Sequence, residues 1–258
     1  MTTSVEARKW LFRQPSEDAP ARLFCFPYSG AGASMYRAWP QRIGPVEVCL
    51  VQLPARENRL PERHPGTYEK LAVDATLGLL PYLDRPSGFF GHCGGALSAF
   101  ATALELERSH DRVISALFLS SQVAAHEKPF GRWLWLPREE LSDELDVLAA
   151  RMGGAISPDF KELALDLLEE DLAQQRRYRL AAPELLSCEV YVLGWAGDVE
   201  IRPDQLGGWQ DYVRSGRHHE VLLDGDHHTF LEAPAPLQDV ISAALDPHPV
   251  QRRVRRKH

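Results

Sequence analysis

Residues 87–109 read SGFFGHCGGALSAFATALELERS: an apolar run, a Gly-x-Cys-x-Gly turn, then apolar residues at helical spacing. A strand that becomes a helix within a residue or two forces the corner residue into a tight, strained bend, which closes only where glycines surround it. Such a corner demands a sheet whose strand ends there and a helix that packs back against it. It also exposes the corner side chain at a helix N-terminus, where partial positive charge favours an anion. Cys93 holds that corner, so Gly91-His92-Cys93-Gly94-Gly95 reads as a nucleophile elbow built around a thiol.

The remaining chain supplies the sheet. ARLFCFP (21–27), VEVCLVQ (46–52), SGFFG (87–91), VISALFLSS (113–121), EVYVLGW (189–195) and HHEVLLDG (218–225) read as strands. Several are apolar without strict alternation, as expected of parallel strands covered on both faces. Residues 67–83 and 94–109 have the spacing of amphipathic helices, and 229–245 reads as a helix after an irregular start at Pro234 and Pro236. Strands alternating with helices predict an α/β fold with a mostly parallel central sheet. From Ala125 to Ser187 no good strand appears, only two or three helical patterns joined at Gly153–Gly154. A connection of that length is too long for a plain loop and predicts a helical subdomain. The apolar run Trp133-Leu134-Trp135-Leu136 within it suits either packing on the main domain or a cap over a pocket. The expected division is therefore a core of residues 1–124 and 188–247, a helical insertion at 125–187, and a basic, disordered tail at 248–258.

Composition excludes several classes. With 44% hydrophobic and 25% charged residues the 258-residue chain is neither disordered nor membrane-spanning, since no stretch approaches the ~20 apolar residues a span needs. The first twenty residues lack the apolar core of an export signal. Cys25, Cys49, Cys93 and Cys188 make neither close pairs nor metal-like spacings, so free thiols in a reducing cytoplasm are expected and no metal is. Five of the last eight residues are basic, which leaves 24 basic against 36 acidic side chains elsewhere. So acidic a body argues against binding nucleic acid.

A nucleophile needs a base and an acid that orients it, expected after it in the chain. Asp198, just past the strand EVYVLGW, lies where a carboxylate reaches over the sheet edge. His227, just past the last strand in LLDGDHHTF, is the expected base, with its neighbour His228 as the alternative; His92, inside the elbow, reads as a packing residue. Two backbone N–H groups should hold the oxyanion: Gly94, after the nucleophile, and Ser29, in the loop Pro27-Tyr28-Ser29-Gly30-Ala31-Gly32, with Gly30 next in line. That Gly-rich loop has neither the Walker lysine nor the spaced dinucleotide fingerprint, so no nucleotide cofactor is expected.

With these residues in place the chain resembles the type II thioesterases, free-standing α/β-hydrolases found beside polyketide and nonribosomal peptide synthases. The resemblance runs from about Trp10 to Leu245. It rests on LFCFPYSGAGAS with Tyr36 and Trp39, VQLPARENRLPE, FFGHCGGALSAF, LPREEL, EEDLAQQRRY, GDVEI and GDHHTFLE, in that order. It implies the α/β-hydrolase fold with 125–187 as a helical lid. It also implies substrates held as acyl thioesters on the phosphopantetheine arm of an acyl or peptidyl carrier protein. The family's elbow usually carries Ser where this chain has Cys93, and its oxyanion loop usually carries His where this chain has Tyr28. Carrier proteins tend to be acidic, so docking predicts a basic patch near the lid, with Arg132, Arg138, Arg176 and Arg177 as candidates.

The thiol changes the energetics. A Ser nucleophile converts a thioester into a more stable oxygen ester, whereas Cys93 would exchange one thioester for another, nearly thermoneutrally. The acyl-enzyme then passes its acyl group to water, as in an editing hydrolase, or to another thiol, amine or hydroxyl, as in an acyl shuttle. A non-catalytic binding protein with an inert thiol is the third reading.

Overall fold

Six apolar runs of the sequence form six strands of one sheet in the computed structural model, which describes residues 5–247. They are β1 (Ala21–Phe26), β3 (Val46–Leu50), β4 (Ser87–His92), β5 (Ala116–Ser120), β6 (Glu189–Trp195) and β7 (His218–Leu223). The seventh, β2 (Arg42–Ile43), has only two residues, too few to leave a periodic signal, and pairs antiparallel with β3 at the sheet edge. The strand order is β2-β3-β1-β4-β5-β6-β7, and every pairing except β2–β3 is parallel.

The helices are α1 (Val5–Arg8), α2 (Tyr68–Leu79), α3 (Gly94–His110), α4 (Arg138–Arg151), α5 (Pro158–Arg177) and α6 (Ala235–Leu245). Alternate residues of each strand face opposite sides. Phe24, Phe26 and Phe89 pack with Leu71 and Leu79 of α2 and Leu97 and Phe100 of α3. Leu23, Cys25, Phe90 and Phe118 pack with Leu237, Ile241 and Leu245 of α6. Burial on both faces is why β1, β4 and β5 read as continuous apolar runs. Before α6, a short 3-10 turn at Thr229–Glu232 and Ala233 at φ 46° form the irregular start anticipated at the two prolines.

Between β5 and β6 the chain is helical. The 3-10 turn Arg132–Trp135 and helices α4 and α5 share a cluster of their own: Leu134, Leu141, Leu145, Leu165, Leu168 and Leu172. Leu148 instead joins the core cluster on the α6 side of the sheet, and Trp133 packs against Tyr28, so the segment seats on the sheet edge. Trp135 is exposed. The expected basic patch needs correcting. Arg132 pairs with Glu144 and Glu200, and Arg138 with Glu162, Asp166 and Glu169, because α5 and its neighbours are rich in carboxylates. Arg176 and Arg177 donate to the Leu134 and Gly66 carbonyls. The basic tail expected at 248–258 lies outside the described residues. No described helix is long and apolar enough to cross a membrane.

Because the strands are parallel, the loops after β1, β4, β5, β6 and β7 leave the same edge of the sheet, where sites form in open α/β folds.

Candidate active site

Cys93 follows β4 directly and is the N-cap of α3, with φ 50° and ψ −120°. A side chain rarely adopts that conformation, and the surroundings over-determine it. The Cys93 N–H donates to the Ser120 carbonyl at 2.9 Å, while its own carbonyl accepts from Ala96 N at 3.0 Å. The turn closes because Gly91 has no side chain: a Cβ there would fall 2.1 Å from the Gly95 carbonyl oxygen. His92, between them, points into the core. Its ring stacks on Phe230 at 3.9 Å and its Nδ1 lies 2.9 Å from the Ser120 hydroxyl oxygen, which also accepts from Trp195 Nε1. Burial pushes its imidazole well below the usual range, so it stays neutral.

Asp198 and His227 come from the loops after β6 and β7. Although buried, Asp198 is well satisfied: Oδ2 lies 2.9 Å from His227 Nδ1 and accepts from the Ser121 hydroxyl at 2.7 Å, and Oδ1 accepts from the Glu200 and Ile201 N–H groups. Burial opposes its charge, but the His227 contact and the Ser121 bond outweigh that and lower its pKa. Burial likewise opposes a charged His227, yet the bonds to Asp198 and Cys93 prevail and raise the imidazole to about 10. With Nδ1 tied to Asp198, Nε2 is left for the thiol. His228 stands apart. Its ring centre is 5.2 Å from that of His227, its Nε2 has no partner, and burial with the neighbouring His227 charge lowers it to about 4.

The two residues expected to hold an oxyanion adjoin each other. Gly94 is the first residue of α3, so its N–H has no partner within the helix. A Cβ on Gly94 would fall 2.1 Å from Ser29 Oγ, so the two residues are in direct contact and a side chain there would displace the Ser29 hydroxyl.

Two residues not singled out from the sequence hold that loop. Asp171, on the core-facing side of α5, accepts from Gly30 N at 2.7 Å and from Arg56 Nη1 and Nη2 at 3.1 and 3.0 Å, and His64 Nε2 lies 2.8 Å away. Arg56 also donates to the Ala31 carbonyl at 3.0 Å. Burial raises Asp171, but the Arg56 charge and the His64 and Arg56 bonds dominate and hold it at about 2. The signal was present: Asp171 interrupts the apolar stripe Leu165, Leu168, Leu172, where a carboxylate survives only if paired.

Cys93 and His227 line a chamber completed by Tyr28, Ser29, Gln122, Phe130, Trp133, Leu134, Leu172 and Ile201, among others. Its free space is about 30 Å³, room for one or two water molecules. A partly exposed thiol, an imidazole held by a buried carboxylate and an anion-favouring helix start lie together at the C-terminal sheet edge, an arrangement suited to nucleophilic acyl chemistry.

Residues 21–245 match the family model for the thioesterase domain, and the chain belongs to that family. It is 30% identical to the medium-chain S-acyl fatty acid synthase thioesterase of Homo sapiens over 86% of this chain and 84% of that one. It is 28% identical to the Brevibacillus parabrevis protein named linear gramicidin dehydrogenase LgrE, over 94% and 95%. Among solved structures, the RedJ thioesterase from the prodiginine pathway of Streptomyces coelicolor superposes with a TM-score of 0.76 at 31% identity, covering 91% of this chain and 92% of that one.

Proposed function

We propose that this thioesterase-family protein cleaves acyl groups from the phosphopantetheine arm of carrier proteins in polyketide or nonribosomal peptide assembly, through an acyl-enzyme on Cys93. The observation that carries the reading is the line Cys93–His227–Asp198 beside the Ser29–Gly94 pair, in one mainly apolar chamber. His227 Nε2 holds the proton it shares with Cys93 as imidazolium while Cys93 Sγ attacks the thioester carbonyl carbon. The Ser29 and Gly94 N–H groups hold the oxyanion. The tetrahedral intermediate then expels the phosphopantetheine thiolate, which takes the proton from His227 and leaves as the thiol. His227 next accepts a proton from water as its oxygen attacks the acyl-enzyme. Collapse releases the acid and restores the Cys93–His227 pair. Asp198 orients the imidazole and stabilises its charge. Residues 125–187 act as a lid that excludes bulk water. The relative named a dehydrogenase supplies no argument for hydride transfer, because Met35 stands where the third glycine of a dinucleotide fingerprint after Gly30 and Gly32 would fall.

The test is intact-protein mass spectrometry of the chain incubated with an acyl-loaded carrier protein. The expected result is an adduct on Cys93 that decays to free acid and is absent in Cys93→Ala. An adduct that persists until an empty second carrier arrives, then moves onto it, replaces hydrolysis with transfer. No Cys93-dependent adduct or turnover overturns the covalent mechanism.

A further inference from the structure

The chamber around Cys93 is lined mainly by apolar groups, Phe130, Trp133, Leu134, Leu172 and Ile201, yet it contains a polar side chain that the acyl-transfer steps leave unused. Gln122 follows β5 by two residues, lines the chamber and is fully buried. Three of its polar groups have different fates. Its backbone carbonyl accepts from Trp209 Nε1 at 2.6 Å, its Oε1 accepts from Lys128 Nζ at 3.3 Å, and its Nε2 has no partner. Lys128, itself buried, is anchored by donating also to the Phe130 carbonyl at 2.8 Å. A charged lysine has only donors, so it fixes which end of the amide faces it and leaves the NH₂ end without a partner. A buried donor without an acceptor is costly, and such orphans are rare unless a ligand or water completes them.

Building on the acyl-enzyme reading above, we propose that Gln122 is the specificity-determining residue of the acyl chamber. Its Nε2 donates to an oxygen on the acyl chain beyond the thioester carbonyl, so the preferred substrates are hydroxy-, oxo- or amide-bearing acyl groups rather than plain alkyl chains. Burial lowers the Lys128 ammonium only to about 8, with the Cys93 charge acting the other way, so Lys128 remains largely charged at neutral pH and keeps the amide in register. Hydrocarbon added to the substrate would satisfy the apolar walls but leave the amide N–H bare, whereas an acceptor oxygen satisfies both.

The experiment compares N-acetylcysteamine thioesters of butanoyl, 3-hydroxybutanoyl, 3-oxobutanoyl and N-acetylglycyl groups on the wild type and Gln122→Met. The methionine keeps the length of the side chain and removes the donor. For at least one oxygenated group, kcat/KM relative to butanoyl should fall about tenfold in Gln122→Met, the loss expected for one buried hydrogen bond. The intrinsic reactivity of each thioester cancels in that comparison. Gln122→Glu, which retains the contact with Lys128 and presents an acceptor, should lower the same ratio and serves if the methionine variant does not fold. Unchanged ratios in both variants overturn the assignment of Gln122 while leaving Cys93 chemistry intact. Failure of every thioester to acylate Cys93 removes the catalytic reading and this one with it.

Discussion

Cys25, Cys49 and Cys188 are buried, and burial raises all three thiols, those of Cys49 and Cys188 to about 12. Cys93 alone of the four is partly exposed, beside an imidazole whose partner Asp198 favours its cationic form. Reactivity follows the thiolate and its access, so the four should separate cleanly. Iodoacetamide at pH 7.5 should add one carbamidomethyl group to the native chain, at Cys93, and none to Cys93→Ser on the same timescale. Peptide mapping that finds Cys25, Cys49 or Cys188 modified at a comparable rate would refute this assignment of environments. The same arrangement explains why His227 and not His228 is placed for base chemistry. Only His227 has a carboxylate on one ring nitrogen and the thiol on the other, whereas His228 is half-buried without a carboxylate bond to either nitrogen and is driven neutral.

At the level of elements, α5 does more than cover the sheet edge, because Asp171 ties it to the loop that carries Ser29 and Gly30. Asp171→Asn would keep the shape but leave the buried Arg56 guanidinium without its counter-charge, a loss of about 3–5 kcal/mol. The carboxyl is held at about 2 against an ordinary 3.8, so its contribution is complete above about pH 4 and disappears as pH falls toward 2. Denaturant unfolding should therefore show a large gap between wild type and Asp171→Asn at pH 7 that narrows below pH 4. A gap independent of pH would exclude the ion pair as its source. The loop it holds should also shift, lowering kcat rather than raising KM. This clamp marks the limit of what the sequence conveys. The elbow, Asp198 and His227 were legible because strand and loop positions are local, and parallel topology carries every strand end to one edge. Arg56 and Asp171 are 115 residues apart, and only the fold brings them together. Gln122 was invisible for a different reason: the unpaired state of its Nε2 is a property of packing, which no local pattern encodes. The two-residue β2 was likewise too short to be read.

Across the whole molecule, Cys93 lies at a chamber lined in part by Arg132, Trp133, Leu134 and Leu172 of the segment between β5 and β6. Movement of that segment would widen the chamber for a larger substrate. What holds it down is partly a buried clamp at Asp171 and partly exposed ion pairs, Arg132 with Glu200 and Arg151 with Asp226, which join the segment to the loops carrying Asp198 and His227. Exposed pairs of this kind are worth about 0.2–1 kcal/mol each and are screened by salt. If opening limits access, removing them should speed turnover of a small uncharged thioester. Raising the salt from about 20 mM to about 500 mM, which shortens the Debye length from tens of ångströms to a few, should then raise kcat/KM a few-fold. The double variant Arg132→Ala/Arg151→Ala should show the higher value already at low salt and lose most of the salt dependence. Equal salt dependence in both proteins would mean that these pairs do not govern opening, and a flat wild-type profile would mean that opening does not govern access.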